Sequence, residues 1–386
     1  MGKSVGLITI HGINNFGSLL QAYATQNTIE KLGYSCTIIN YKYPNKYHLD
    51  LILKHSPYAI QKFSFFERLR ISLYRRSSLD NDSLKKQALF EKERKRLLHL
   101  TEEYPSRESL LNNPPSFDIY VTGSDQVWNP RYLYDDTTFL LSFIGDSSKI
   151  AFSASFGATE IDDYHMKMMK PFLQQYQSVS VREESGTRIV KDITGEDACW
   201  TCDPTLLLTG TDWSRVFPDD SLIDGEYILV YVLTYTANPY PYASDFISYV
   251  KRTLKKKVVV LDETGKYWMD MRYKSFQAYG PREIISLFRH ASFIISSSFH
   301  GAAFSVNFQK DFYSIFPQGV KDERQESFLR MIGASDRFIR VGDPFPSASK
   351  LHINNWNEIN EKLNTFRSKS LSFLSKSLKN AEYSTR

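Results

Sequence analysis

The first forty residues restrict the fold more than any other feature. Val5–Ile10 is a short apolar, β-prone run and reads as a strand. His11-Gly12-Ile13-Asn14-Asn15-Phe16-Gly17-Ser18 follows, rich in turn residues. Leu19, Leu20, Tyr23, Ile29 and Leu32 then recur at helical spacing, Gly33 ends the helix, and Thr37–Asn40 is the next strand. Strand, glycine loop, helix, strand is a βαβ unit.

The alternation resumes further on. Phe117–Thr122, Lys149–Ser155 and Ser178–Val181 read as strands, the last leading through Arg182-Glu183-Glu184 into a helix with Ile189 and Val190 on one face. Asp203-Pro204-Thr205 opens a crossover, and a second set begins with strands at Tyr227–Leu233 and Val258–Asp262. Pro281 starts the helix Arg282–His290, where its missing N–H costs nothing. Phe293–Ser296 is a strand, Ala302–Asn307 a helix and Phe312–Phe316 a strand; Trp356–Leu378 is a helical tail, basic on one side. A chain of 386 residues is too long for one ordinary domain. The pattern predicts an α/β protein of two doubly wound domains facing a cleft, 1–205 and 206–350, with a C-terminal helical tail over 351–386. Ligands in such sheets bind outside the carboxyl ends of the strands. The loops at 11–18, 123–128, 155–158, 182–184 and 297–301 all lie there.

Residues 57–100 break the alternation and read as a basic helical insertion in the first domain. The segment from Lys62 to Arg96 holds eleven Lys or Arg against five Asp or Glu, a surplus that accounts for the whole net charge of +5. It reads either as a solvated helical face or as a contact with a membrane surface or lipid substrate. The near balance elsewhere argues against a nucleic-acid partner. No run of 18 apolar residues occurs, and Met1–Ile10 is too short an apolar stretch for a signal peptide. The expected location is the cytoplasm, or the inner face of the membrane by way of the basic segment. Cys36, Cys199 and Cys202 make no disulfide framework, and Cys199-x-x-Cys202 has no second ligand pair to complete a zinc site. No metal is expected.

The strand-end loops carry the chemistry. Asn14–Ser18 is either a ligand loop feeding a helix N-terminus, with Asn15 and Gly17 at the ligand, or a plain turn capped by Ser18. It is neither a dinucleotide fingerprint nor a P-loop. Gly123-Ser124-Asp125-Gln126-Val127-Trp128 places a carboxylate, an amide and an indole at one strand end. Asp125 suits a group that deprotonates or orients a sugar hydroxyl, and Trp128 either stacks on a sugar ring or lies in the core. Arg182 suits a bidentate grip on a carboxylate or phosphate, or an ion pair with Glu183 or Glu184. In Ser296-Ser297-Ser298-Phe299-His300-Gly301 a histidine enters a helix beside small residues, a setting for acid–base chemistry and anion binding.

Taken in order, Asn15-Phe16-Gly17, Gly123-Ser124-Asp125-Gln126-Val127-Trp128-Asn129, Ser153-Ala154-Ser155-Phe156-Gly157, Ser180-Val181-Arg182-Glu183, Asp203-Pro204-Thr205 and Ser298-Phe299-His300-Gly301 resemble the polysaccharide pyruvyl transferase family over about residues 4–320. The resemblance implies two Rossmann-like domains similar to GT-B glycosyltransferases, the first on the acceptor side and the second on the donor side. It implies a transferase that moves a pyruvyl group from phosphoenolpyruvate to a sugar hydroxyl pair in bacterial exopolysaccharide, capsule or cell-wall polysaccharide synthesis. No cofactor is implied beyond that donor substrate, and the partner is a glycan acceptor, free or lipid-linked. Arg182 and His300 match family residues associated with donor binding and catalysis, with Asp125 as the candidate base. Ser124, Gln126, Ser298 and Gly301 join the candidate substrate contacts. Some members carry an arginine two positions before the histidine; here that residue is Ser298, and Lys310, Lys321 or Arg324 is the candidate replacement cation. Loss of Arg182 or His300 is then expected to abolish turnover with the fold intact. The competing readings are a nucleotide-sugar glycosyltransferase on the same fold and a non-catalytic sugar-binding homologue. The first would present an acidic residue for the ribose near the second-domain loop, and Ser298–Ala303 has none.

Overall fold

The computed structural model describes residues 3–55, 81–233, 238–261, 274–276, 278–320 and 322–384. The contacts divide the chain into one unit of Met1–Pro204 with Leu371–Arg386, and another of Thr205–Ser370.

In the first unit the strands are β1 (Ser4–Ile8), β2 (Ser35–Tyr41), β3 (Leu100–Tyr104), β4 (Ile119–Thr122), β5 (Ser148–Ala154), β6 (Ser178–Val181) and β7 (Cys199–Trp200). They form one parallel sheet in the order β3-β2-β1-β4-β5-β6-β7. Helices α1 (Phe16–Lys31), α2 (Lys46–His55), α3 (Asn81–Leu97), α4 (Arg107–Asn112), α5 (Pro130–Leu133), α6 (Asp163–Leu173) and α7 (Glu184–Thr194) connect them. The central strands are buried on both faces, as parallel strands covered by helices must be: Val5, Leu7 and Ile8 in β1, and all of β4 and β5.

The second unit repeats the plan. Its strands are β8 (Tyr227–Tyr231), β9 (Lys257–Leu261), β10 (Lys274–Phe276), β11 (Phe293–Ser296), β12 (Asp311–Phe316) and β13 (Phe338–Arg340), parallel in the order β10-β9-β8-β11-β12-β13. Its helices are α8 (Gly210–Val216), α9 (Tyr242–Leu254), α10 (Pro281–His290), α11 (Phe299–Asn307), α12 (Arg324–Met331) and the start of α13 (Trp356–Ser384), whose residues from Leu371 on count with the first unit.

The predicted α/β class and the two doubly wound sheets are present. Strand order reverses between β1 and β4 in one sheet and between β8 and β11 in the other. At such a reversal the two flanking loops diverge and leave a crevice at the carboxyl end. Of the basic insertion, only 81–100 lies within the described residues, and there α3 runs into β3 after two residues. The rest of that segment, Lys321 and Asp262 lie outside them. Among the described residues, no helix is long and apolar enough to cross a membrane.

Candidate active site

The reversal in the first sheet brings together the loop after β1 and the loop after β4. Asn15 sits at the mouth of α1, in extended conformation, and its side-chain oxygen accepts from the backbone N–H of Gly17 at 2.9 Å and Ser18 at 3.3 Å. It is the helix cap. Ser18, which the sequence offered as that cap, does something else: its hydroxyl donates to Asp125 Oδ2 at 2.6 Å across the reversal. Asp125 itself has φ 65°, a left-handed backbone that aspartate tolerates better than most residues. The tight turn is set by Gly123, at φ 111°, where a Cβ would lie 2.1 Å from the Phe152 carbonyl oxygen.

Asp125 has a second buried partner. Arg182, at the end of β6, donates from Nη2 to Asp125 Oδ1 at 3.4 Å and from Nη1 to Asp203 Oδ2 at 2.6 Å. The guanidinium is fully buried between the two carboxylates. The guanidinium is thus committed to two buried carboxylates. Glu183 accepts from the N–H groups of Phe156 at 2.6 Å and Gly157 at 3.1 Å, fixing the loop after β5. Buried charges persist only when paired, and Asp125, Arg182 and Asp203 meet that condition together.

A buried polar network underlies this cluster. Gln21 donates to the Thr9 hydroxyl and to the Ile10 and Ser18 carbonyls, and accepts from the Ser124 N–H at 3.1 Å. The Ser124 hydroxyl donates to the Ser153 carbonyl at 2.8 Å, and Ser153 in turn bonds Thr201 and the Cys202 carbonyl. Ser124 is thus a fully buried strut, not a substrate contact. Trp128 is likewise 0 % exposed, its ring against Phe156 and Tyr176 and its N–H on the Phe139 carbonyl. No face of it is left for a sugar, because the residues after Asp125 turn back into the core. Gln126 is half-buried and bonded to Asn129 at 2.7 Å.

His11 and Arg94 support the same loop. His11 is buried, with Nδ1 on the Thr9 carbonyl at 3.0 Å and Nε2 on Asn40 at 3.1 Å. Burial, with Arg94 close by, pushes its pKa down despite those hydrogen bonds. Arg94 of α3 donates to the carbonyls of His11 and Gly12 at 3.1 and 3.0 Å. One charge of the basic segment is thus spent inside the domain.

The reversal in the second sheet carries His300. It is the second residue of α11, and Ser298 occupies the cap position in extended conformation without a capping bond from its side chain. Gly301 is required by packing rather than by ligand approach: a Cβ there would lie 2.1 Å from Ser296 Oγ, which is tied to the Tyr231 carbonyl at 2.9 Å. Gln325 joins the neighbouring helix to this loop, donating to the Ser297 carbonyl at 2.9 Å and accepting from Ser314. Arg324, next to Gln325 at the start of α12, is therefore carried to the carboxyl end of the sheet, paired with Asp322. Lys310 is not. The β11–β12 register sets Asp311 against Phe293, so Lys310 sits at the amino end, about 10 Å of strand away from the end that bears His300.

Asp125 and Arg182 were legible as strand-end polar residues. Asp203 and Ser18 were legible only as a turn and a cap residue and Gln21 was not singled out; only the fold sets Asp203 on Arg182, Ser18 on Asp125 and Gln21 on the Ser124 N–H.

The sequence model of the family described as polysaccharide pyruvyl transferase matches residues 15–315. No curated protein matches. Among solved structures, the chain is similar to Arabidopsis thaliana UGT89C1 complexed with UDP-L-rhamnose, at 11% identity and TM-score 0.51, with 98% of this chain and 99% of that one covered. It is also similar to the S. aureus MnaA-UDP structure, at 9% identity and TM-score 0.50, with 94% and 87% covered. These likenesses concern the fold alone, a two-domain Rossmann-like architecture of the GT-B kind.

Proposed function

Because the chain belongs to the polysaccharide pyruvyl transferase family, we propose that it transfers the pyruvyl group of phosphoenolpyruvate to two hydroxyls of one acceptor sugar, closing a cyclic ketal. The observation that carries the reading is where two family-like segments fall. Asp125 and His300 each lie at the carboxyl end of a sheet beside the reversal of strand order.

The chemistry requires a proton donor, a proton acceptor and a cationic hold on the donor's phosphate and carboxylate. His300 delivers a proton to the methylene carbon C3, leaving C2 electrophilic. A sugar hydroxyl attacks C2 and gives its proton to Asp125, which Ser18 and Arg182 hold in place. The C2–O bond to phosphorus breaks, phosphate leaving with the electron pair. The neighbouring hydroxyl then closes the ring at C2, and its proton departs on phosphate. One C–H and two C–O bonds replace the C=C π bond and one C–O bond, with no net oxidation. Asp125 and His300 return to their starting states by exchange with water. The first turn of α11 supplies the hold on the anion, joined by Arg324 as it exchanges its ion pair with Asp322 for the ligand, where some relatives carry an arginine at the place of Ser298. Arg182 acts through Asp125 as a positioning residue.

The test is turnover in heavy water with phosphoenolpyruvate and candidate glycans. The expected product is a ketal whose methyl carries one deuteron, with matching phosphate release. His300→Ala and Asp125→Asn should each lower kcat by about 10²–10⁴, the usual worth of a general acid or base. Unchanged turnover in both variants would remove the mechanism.

A further inference from the structure

We propose that a cavity of about 910 Å³ at the amino end of the second sheet binds an organic phosphate of sugar-phosphate size, with Lys310 as the cation that holds its head. The site is separate from the one that carries His300, which lies at the carboxyl end of the same sheet. It does not rest on the pyruvyl-transfer reading. The volume falls within the roughly 300–1,000 Å³ of ordinary ligand clefts.

The lining comes from residues that enter four neighbouring strands. Lys256 precedes β9, Glu226 precedes β8, Ser292 precedes β11 and Lys310 precedes β12. These strands lie in the order β9-β8-β11-β12. At about 4.8 Å per strand, the backbones at Lys256 and Lys310 are roughly 14 Å apart. A bare ion fills one end of such a cavity, whereas a phosphorylated sugar reaches across several strand ends.

The charges of the lining are paired except at the Lys310 end. Lys256 Nζ lies 2.9 Å from Glu226 Oε1. Asp311 accepts from the Ile353 N–H at 2.8 Å and lies 2.7 Å from His352 Nδ1. Lys310 follows Gln309, whose φ of 50° turns the chain off the end of α11, and its ammonium makes no hydrogen bond or ion pair among the described residues. The side chain is half-buried all the same. Burial pushes its pKa down, and Asp311 restores only part of the loss. Beside it, His290 sets Nδ1 on the Ser286 carbonyl at 3.0 Å, which leaves Nε2 over. Burial first, then Arg289 and Lys310, hold the His290 pKa down against the Ser286 carbonyl and Asp220. Both carboxylates of the lining thus have donors, and the surplus is an ammonium with three N–H groups and little water. A phosphate supplies the acceptors it lacks. The carboxyl ends of α10 and α11 point to the same side and add about half a negative charge each, so the hold cannot rest on the anion alone. The ligand's body supplies the rest. The Glu226 side chain, 72% exposed, and Ser292 bond sugar hydroxyls, and half-buried Trp356 offers a ring face to sugar carbons.

The experiment is calorimetric titration of the full chain with glucose 6-phosphate, glucose and inorganic phosphate between pH 7.5 and 10. The wild type is compared with Lys310→Gln, Lys310→Arg and His300→Ala. Above about pH 7 a phosphate monoester is already a dianion, so a pH effect belongs to the protein. The wild type should bind glucose 6-phosphate, and glucose and inorganic phosphate each at least tenfold more weakly. Lys310→Gln should lose at least tenfold in affinity, the worth of one hydrogen bond from a charged group. Wild-type affinity should fall as pH rises, because Lys310 binds as the ammonium and its lowered pKa brings the loss of that proton into this range. Lys310→Arg should bind without that fall, since a guanidinium keeps its charge, and this readout stands even if Lys310→Gln folds poorly. His300→Ala should bind as the wild type does. No glucose 6-phosphate binding in the wild type, or equal binding in Lys310→Gln, would overturn the site. So would binding lost in His300→Ala and kept in Lys310→Gln, which would place the phosphate at the other end of the sheet. An unchanged pH slope in Lys310→Arg would overturn Lys310 as the anchor, and inorganic phosphate binding as tightly as glucose 6-phosphate would overturn the sugar body.

Discussion

Asp125 depends on partners that differ in strength. The Ser18 hydroxyl is at 2.6 Å, a charge-assisted bond, while Arg182 reaches it only at 3.4 Å and spends its shorter contact on Asp203. Removing Arg182 leaves two buried carboxylates without their cation. Arg182→Ala should cost about 3–5 kcal/mol of stability, read from urea unfolding. The sequence alone suggested that this residue could be lost with the fold intact; its burial between Asp125 and Asp203 says otherwise. A loss below about 1 kcal/mol would mean that the cluster is not the buried unit described. His11 makes a pH prediction. Its folded pKa lies below the unfolded value of about 6.5, so near pH 6 the unfolded chain binds a proton that the folded chain refuses. Its contribution is complete above about pH 6.5 and is lost as pH falls below it, at up to about 1.4 kcal/mol per pH unit. Chemical denaturation between pH 5 and 7 should show that slope reduced in His11→Gln; an equal slope in both proteins would refute it.

At the scale of elements, the buried parallel strands were the most legible. Phe293–Ser296 is a strand from end to end as read, since four consecutive apolar or small residues between a helix and a turn leave little else to form. β3 was missed: Leu100-Thr-Glu-Glu-Tyr104 is an edge strand with exposed acidic residues, and it lacks the apolar signal of its neighbours. α11 begins at Phe299, three residues earlier than read, because serine and glycine at its start look like loop in sequence. The turn after β4 is also an element-level device. Gly123 combines a left-handed backbone with a carbonyl 2.1 Å from where a Cβ would sit, so Gly123→Ala should destabilise by more than about 1 kcal/mol and displace Asp125. A urea midpoint unchanged from the wild type would contradict the tight approach of Phe152.

For the molecule as a whole, repetition of one plan made the architecture readable. Each half alternates strand and helix, each sheet reverses once, and the polar strand-end loops fall at those reversals. What sequence could not give is commitment: which strand-end residues are already bonded to one another. Ser124, Trp128 and Arg182 are bonded inside the first domain, as Asp125 is to Ser18 and Arg182; the proposed mechanism rests on Asp125 there and on His300 in the second. The central claim is that the His300 end of the second sheet receives phosphoenolpyruvate, and thermal unfolding tests it most directly. A ligand at about 100 times its dissociation constant stabilises by roughly 2.7 kcal/mol, enough to see. The account predicts that phosphoenolpyruvate raises the unfolding temperature of the wild type and not that of His300→Ala. A rise with nucleotide sugars alone, and none with phosphoenolpyruvate, would contradict it and place the protein among nucleotide-sugar glycosyltransferases of the same fold.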